Sequence, residues 1–162
     1  MIRGCVIAIC SATFPFLATC GVAERTPAQE TGTPTETDPV LKSLDAKVAS
    51  FLEGVSGGQA QSALNDLLIG SQLLKQQEAL KDLTARINEL EEKYGKYRGF
   101  EQIAGKRIGQ DLVLMRYLYK CAEFPVVWRV TFYRPPGGTA ADTGTWRVVA
   151  VRFDTNLEKL GE

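Results

Sequence analysis

The sequence predicts an α+β fold in which three N-terminal helices pack on a four-stranded antiparallel meander. Between residues 40 and 94, apolar residues recur at steps of three and four, the period of an amphipathic helix. After Gly95 the period changes toward two, and the strand-like segments follow one another closely, which favours antiparallel hairpins. Helices that all precede the strands are typical of an α+β layer with the helices on one face of the sheet.

Residues 1–20 are predicted to be an export signal. Arg3 supplies a positive start, and the run from Cys5 to Ala18 carries no charge. This run is too short for a stable transmembrane helix, which needs about 20 apolar residues. The expected location is therefore the cell envelope or the periplasm of a bacterium.

The end of this signal allows more than one way of processing. Residues 17–20, LATC, resemble a bacterial lipobox in which Cys20 becomes the lipidated first residue, although Thr19 departs from the small residue usual there. Several acyl chains on one cysteine anchor a protein stably, and Gly21 favours the outer membrane by the same resemblance. The small residues 21–23 also suit ordinary signal peptidase, which would release a secreted protein beginning at Glu24. An uncleaved anchor is the third alternative.

Residues 21–38 are predicted to be a disordered linker, and residues 39–158 the folded domain. The linker consists largely of Thr, Glu and Pro, so ordering it would cost conformational entropy while burying almost no apolar surface. The remaining chain is long enough to bury a sizeable core as one domain.

Capping residues set the bounds of the predicted helices. Asp38 suits an N-cap and Pro39 the first helical position, while glycines suit helix ends. The three predicted helices span residues 39–55, 59–69 and 72–94. Strands are predicted by alternation over residues 98–108, 112–121, 126–133 and 146–154. The third helix is expected to fill the interior by packing on the sheet face that carries Val113 and Met115, through Leu80, Leu83, Ile87 and Leu90.

This order of elements resembles the nuclear transport factor 2-like superfamily, also called cystatin-like. The resemblance covers about residues 40–156 and rests on the first helix ending at Gly-Gly, on residues 97–100, YRGF, and on the closing strand 146–153, WRVVAVRF. It is closest to small exported bacterial members of unknown function. It implies a strongly curved sheet whose concave side holds the helices, a cone. Such domains include isomerases, dehydratases, carriers and interaction modules, so the fold does not define the activity.

The absence of histidine excludes several kinds of catalytic site. Neither a Ser-His-Asp triad nor a Cys-His pair nor a histidine metal site is possible. Enzymes of the resembled superfamily place an Asp inside the cone, whereas the strand-half aspartates here, Asp111, Asp142 and Asp154, fall at strand ends or in a loop. Cys121 stands alone once the signal is removed, so no disulfide, metal site or cofactor is predicted.

Two tyrosines and two arginines are the candidate pocket residues. Tyr117 and Tyr119 can offer phenolic hydroxyls to a ligand, and packing on a sheet face is the alternative. Arg116 and Arg129 would bind a carboxylate or a phosphate if they converged on the inner side of the sheet. Their alternative is a solvated outer face, where arginine stems cover apolar neighbours.

Charge gives modest information about partners. The formal net charge is +0, and residues 97–162 hold 10 Lys and Arg against 7 Asp and Glu. This local excess does not predict nucleic-acid binding, but a protein partner or a second copy could use the sheet face. Along the last strand, alternation predicts that Arg152 shares a face with Trp146 and Val148.

Two functions follow from these observations. The first is a non-catalytic exported domain that binds a ligand or a protein at the envelope. The alternative is a small-pocket isomerase- or dehydratase-like enzyme that uses the tyrosines with Arg116 or Arg129 and a carboxylate such as Glu123. The enzyme requires a closed cavity in which a carboxylate and a phenol reach one point.

Overall fold

The computed structural model of the chain describes residues 38–137 and 145–158. The predicted signal, Cys20 and linker residues 21–37 lie outside the described residues. Within them the fold is α+β, with the helices first and four antiparallel strands after them, which confirms the predicted class. In the part of the chain that is described, no helix is both long and apolar enough to cross a membrane.

Helix α1 spans Pro39–Ser56 and begins where capping predicted. The Asp38 side chain accepts a hydrogen bond from the Val40 N–H at 2.9 Å, so it satisfies a backbone donor left unpaired at the helix start. Helix α2 spans Ala60–Leu67 and packs on α1. A Cβ atom at Gly54 would lie 2.5 Å from the Ala63 Cβ, so glycine permits this close approach.

The segment predicted as one long third helix is divided. It consists of a 3₁₀ helix, Gln72–Lys75, then α3, Gln77–Asn88, and α4, Leu90–Tyr94. Residues 38–137 and 145–158 therefore contain four α-helices and one 3₁₀ helix, not three helices. Ser71 caps the 3₁₀ helix by accepting from the Leu73 N–H at 3.1 Å, and Gln76, with φ −93° and ψ 67°, separates it from α3.

Four strands form one antiparallel sheet in sequence order, β1-β2-β3-β4. They span Tyr97–Ile108, Leu112–Cys121, Val126–Tyr133 and Arg147–Asp154. Strands β1 and β4 are the two edges of this sheet.

The inner face of the sheet is the face that carries Tyr117 and Trp128, and the helices cover it. Alternate residues of β2 and β3 on this face are buried and lie opposite one another: Val113, Met115, Tyr117 and Tyr119 pair with Phe132, Val130, Trp128 and Val126. Phe51 of α1 meets Trp128 edge to face, with ring centroids 5.2 Å apart. Leu44, Val48 and Leu52 of α1 are also buried, so the core lies between the sheet and the helices.

The third predicted helix was expected to fill the interior through four leucine and isoleucine positions, and all four belong to or pack against the core cluster that contains Val113 and Met115. Leu80, Ile87 and Leu90 are buried in the core cluster. Leu83 is only half-buried at the edge of that cluster. Leu83 lines an open cavity between α3 and β4, so part of its side chain remains exposed.

A β-bulge at Val149 changes which side chains of β4 share a face. Ala150 pairs with Thr131 but Val148 pairs with Phe132, so Val149 is an extra residue. One additional residue exchanges the two faces of a strand. Arg152 therefore lies opposite Arg129, away from Val148, and the prediction that these two share a face is wrong.

Candidate functional site

Tyr117 lies at the centre of the inner face and is fully buried. Its hydroxyl donates a hydrogen bond to Asp45 Oδ1 of α1 at 2.7 Å. Burial raises the pKa of Tyr117 well above its ordinary value, and the hydrogen bond to Asp45 acts in the same direction. The phenol therefore stays protonated and serves as the polar partner of a helix carboxylate within the core.

Tyr119 occupies the other end of the inner face, where the core opens slightly. Its ring lies against Tyr97 with centroids 4.7 Å apart, and it lines a cavity of about 90 Å³ with Cys121. Ligand pockets usually measure about 300–1,000 Å³, so this cavity is too small for a typical substrate. Burial raises the pKa of Tyr119 and that of the Cys121 thiol, which disfavours a reactive thiolate.

Arg116 and Arg129 lie on the opposite side of the sheet from Tyr117. The register places Arg116 opposite Arg129, and Arg129 opposite Arg152, so the three arginines form a row across β2, β3 and β4. The backbone of the sheet separates this row from the tyrosines. The four candidate residues therefore do not form one pocket, because the tyrosines lie on the inner face of the sheet and the arginines on the outer face.

The outer face of the sheet is the face that carries this arginine row. Arg129, the middle residue of this row, forms an ion pair with Asp154. Leu114 and Leu118 of β2 are half-buried on this face, between the charged side chains. The outer face therefore combines guanidinium groups with apolar side chains, and both are common in protein–protein interfaces.

Glu123, the carboxylate considered for an enzyme, is exposed in the turn between β2 and β3. Its backbone N–H donates to the Tyr94 carbonyl at 3.0 Å, which ties the turn to the end of α4. This position is remote in the strand register from Arg129, which pairs with Arg116 at mid-strand. The proposed combination of Glu123 with these arginines is not assembled.

A larger cavity lies between α3 and strand β4, and we name it the edge groove. Its volume is about 390 Å³. Residues 149–152 of β4 form one wall and α3 the other, with Asp82 and Arg86 at the rim. Leu68 and Leu73 line it where the 3₁₀ helix approaches β4.

A third cavity, of about 720 Å³, lies between α1 and α2. Its polar lining consists of Ser43, Ser50 and Ser62 together with Lys47, Gln59 and Asp66. These hydroxyls have no neighbouring histidine to activate them, because the chain contains none.

Sequence reasoning missed Asp45 and the edge groove. Asp45 lies four residues after Leu41 and three before Val48, within the apolar stripe of α1, and an acidic residue at such a position signals a buried polar partner. The groove depends on the break at Gln76 and on the position of α3 beside β4. No local sequence pattern reports that arrangement.

These features define a small α+β domain with a packed inner face, an outer face rich in arginine and an open groove at one sheet edge. Among residues 38–137 and 145–158, no group of three or more His, Cys, Asp or Glu side chains is placed to hold a metal ion. No family model matches the chain, and neither a curated protein nor a solved structure matches it.

Proposed function

We propose that this chain is a non-catalytic binding domain, exported to the cell envelope and held there by a lipid on Cys20. One observation carries the proposal: side chains fill the inner face, and the polar candidates for a pocket lie on opposite faces of the sheet. A substrate would need room beside Tyr117, yet Tyr117 is fully buried and already donates to Asp45.

The proposal includes the resemblance to nuclear transport factor 2-like domains. Helices that precede and cover one face of a four-stranded meander support it. In this chain the cone would be occupied by aromatic and aliphatic side chains from β2, β3 and α1. Its use would then resemble that of the interaction modules of the superfamily rather than that of its enzymes.

The outer face is the surface we assign to a protein partner with an acidic surface. Arg116, Arg129 and Arg152 stand side by side there, with Asp154 as the counter-charge of Arg129. In a symmetric dimer built on this face, each arginine row would meet its own copy, and like charges would oppose association. An acidic partner has complementary charge.

Photo-crosslinking in the native cell tests the binding surface. A photoreactive amino acid at Leu118, on the outer face, should give one discrete adduct with an acidic protein, whereas the same group at exposed Gln61 of α2 should give none. Arg116→Glu should reduce the Leu118 adduct by at least fivefold. An adduct of equal yield at both positions, or none at Leu118, would contradict the proposal.

Intact-mass measurement of the mature protein tests the anchor. The expected product begins at Cys20 and carries the mass of its acyl chains. A soluble product beginning at Glu24 would exclude the lipid anchor and leave export as a secreted protein.

One observation favours the alternative, an isomerase- or dehydratase-like enzyme: Tyr117 and Asp45 are a phenol and a carboxylate 2.7 Å apart. Such a pair is a familiar element of acid–base sites. Tyr117→Phe and Asp45→Asn distinguish the two functions, because a binding domain that still folds should keep its Leu118 adduct in both variants. If a variant keeps the Leu118 adduct but does not restore the phenotype of a strain that lacks the gene, the enzyme would be favoured.

A further inference from the structure

The free edge of β4 runs beside α3 with a groove between them. We propose that this edge groove binds an extended peptide that carries a carboxylate, and that the peptide pairs with β4 as an additional strand. The inference rests on the proposed binding role of the domain, but it names the edge of the sheet rather than its outer face, and Arg152 belongs to both surfaces.

The backbone of β4 provides the pairing groups. Strand β4 is the last strand in the sheet order, and no further strand of the described ranges pairs with it. A sheet edge presents a row of N–H and C=O groups, and extended peptides bind many proteins by pairing with such a row. The Ser71 hydroxyl donates to the Val148 carbonyl at the start of the edge. From Ala150 to Asp154 the strand pairs regularly with β3, which leaves a straight edge beyond the bulge.

Apolar side chains line one end of the edge groove. Leu68 and Leu73 lie where the 3₁₀ helix approaches β4, and Leu83 of α3 is half-buried along the wall. Val149 is 43% exposed, although it belongs to the sheet. A peptide side chain seated here would cover these residues, and burial of apolar surface would stabilise the complex. The cavity volume of about 390 Å³ lies within the usual range for ligand sites.

Guanidinium groups mark the other end of the edge groove. Arg86 lies 4.9 Å from the centroid of the Phe153 ring, which places it near the end of β4 together with Arg152. Neither arginine forms an ion pair with a carboxylate among residues 38–137 and 145–158. Asp82 is the acidic residue in the lining, and the two arginines border the groove from different sides of the edge strand: Arg86 on the inner side, over Phe153, and Arg152 on the outer side. A peptide carboxylate would accept paired hydrogen bonds from an arginine.

The distance between the apolar end and the arginine end of the edge groove predicts how the side chains of the peptide are spaced. Val149 and Arg152 are three residues apart, about 10 Å along a strand. A matching peptide carries an apolar side chain and a carboxylate about three residues apart. It lacks proline between them, because proline cannot donate to the strand. The carboxylate can belong to Asp, to Glu or to the peptide C-terminus.

Selection from libraries of displayed random nonapeptides, for binding to the immobilised mature chain, tests this proposal. One library ends in a free C-terminus, and the other carries the same random segment as an internal insert. Selection is repeated on the Arg86→Glu/Arg152→Glu variant, on Arg152→Gln alone, and on Arg98→Glu/Lys106→Glu, which makes matched charge changes at exposed positions of β1. Circular dichroism checks that each variant is folded.

Enriched peptides should carry the predicted apolar and acidic residues and should bind at least tenfold more weakly to Arg86→Glu/Arg152→Glu. The β1 variant should bind them within twofold of the unchanged chain. Every second residue of an enriched peptide can be N-methylated in two ways, at the odd or at the even positions. One of these two sets should reduce the affinity at least tenfold and the other little, because only every second N–H of an added strand pairs with β4. Enrichment in the free-C-terminus library alone would assign the carboxylate to the peptide terminus, and enrichment in both would assign it to Asp or Glu.

Several results would overturn the proposal. No enrichment, or enrichment that survives Arg86→Glu/Arg152→Glu, would show that the edge groove does not select carboxylates. A dimer that dissociates in that variant would make a second copy the occupant, and competition by a peptide of residues 24–37 would make the chain its own ligand. Failure here with the Leu118 adduct intact would leave the proposed function standing, whereas loss of that adduct alone would remove the outer-face assignment.

Discussion

The two faces of strand β2 are built from alternate residues and have opposite roles. Val113, Met115, Tyr117 and Tyr119 are buried on the inner face, whereas the intervening residues of the same strand are half-buried on the outer face. A polar group on the inner face needs an internal partner, and Tyr117 has Asp45. On the outer face the exposed Arg152 can use water, whereas Arg129 is half-buried and pairs with Asp154.

The energies of apolar burial and of exposed ion pairs indicate that the inner face contributes more to stability than the outer face. Full burial of a large apolar side chain contributes about 1.5–3 kcal/mol, and an exposed ion pair contributes about 0–1 kcal/mol. Inner-face residues such as Trp128 should therefore determine whether the chain folds. An exposed outer-face residue such as Arg152 can vary with little effect on folding.

Trp128→Ala should produce the largest effect and is the strongest test of the filled inner face. The Trp128 ring is fully buried between Phe51 and Phe153, whose centroids lie 5.2 Å and 4.7 Å away. Its truncation should lower the free energy of unfolding by about 3–5 kcal/mol, measured by urea denaturation. Val149→Ala, at an exposed position, is the control and should cost less than about 1 kcal/mol. A small loss for Trp128→Ala would mean that the interior is not packed.

Leu44→Ala and Leu83→Ala compare the centre of the core with the wall of the edge groove. Leu44 is fully buried, and its truncation should cost about 2–5 kcal/mol. Leu83 is half-buried, and its truncation should cost about 1 kcal/mol, because less apolar surface is lost. Thermal denaturation of both variants measures the difference. Equal losses would show that the groove is closed in solution and Leu83 is part of the core.

Local signals in the sequence predicted much of this fold. Asp38 and Pro39 marked the start of α1, and the change of period after Gly95 separated helices from strands, because capping and side-chain alternation act between near neighbours in the chain. The break in the third helix was missed at Gln76, where neither Gly nor Pro is present. A side chain–backbone hydrogen bond from Gln77 to the Leu74 carbonyl, at 2.6 Å, accompanies that break.

The candidate site was less predictable because it depends on register and on distant contacts. The bulge at Val149 moved Arg152 to the outer face, and nothing in the local sequence reports an extra residue opposite Thr131. The hydrogen bond between Tyr117 and Asp45 joins residues 72 positions apart. Alternation grouped the tyrosines with Val113 and Met115, on the face predicted to carry the helices, but it could not report that a carboxylate of α1 meets Tyr117 there.

Tyr117→Phe tests the single polar link of Tyr117 to the helix layer and should cost about 0.5–1.5 kcal/mol at pH 7. The pKa of Tyr117 is raised in the folded state, so its contribution is complete below the unfolded value of about 10 and is lost as the pH rises above it. Stability measured by urea denaturation from pH 7 to 11 should therefore fall less steeply in Tyr117→Phe than in the unchanged chain. Tyr133→Phe, at an exposed position, should follow the unchanged chain. Identical alkaline profiles in all three proteins would remove the role assigned to burial of Tyr117.

The smallest effect is expected for Asp154→Asn on the outer face. Asp154 pairs with Arg129, and the two side chains are 39% and 29% exposed, so solvent screens the pair and its loss should cost about 1 kcal/mol or less. Asparagine keeps the acceptor that bonds the Asn156 N–H at 2.9 Å, so the substitution removes charge with little change of shape. The difference in unfolding free energy should disappear in 0.5 M salt, because screening weakens exposed pairs. A loss above about 2 kcal/mol that persists in salt would show that the pair supports the sheet itself, and the outer face would then be a structural surface rather than one available to a partner.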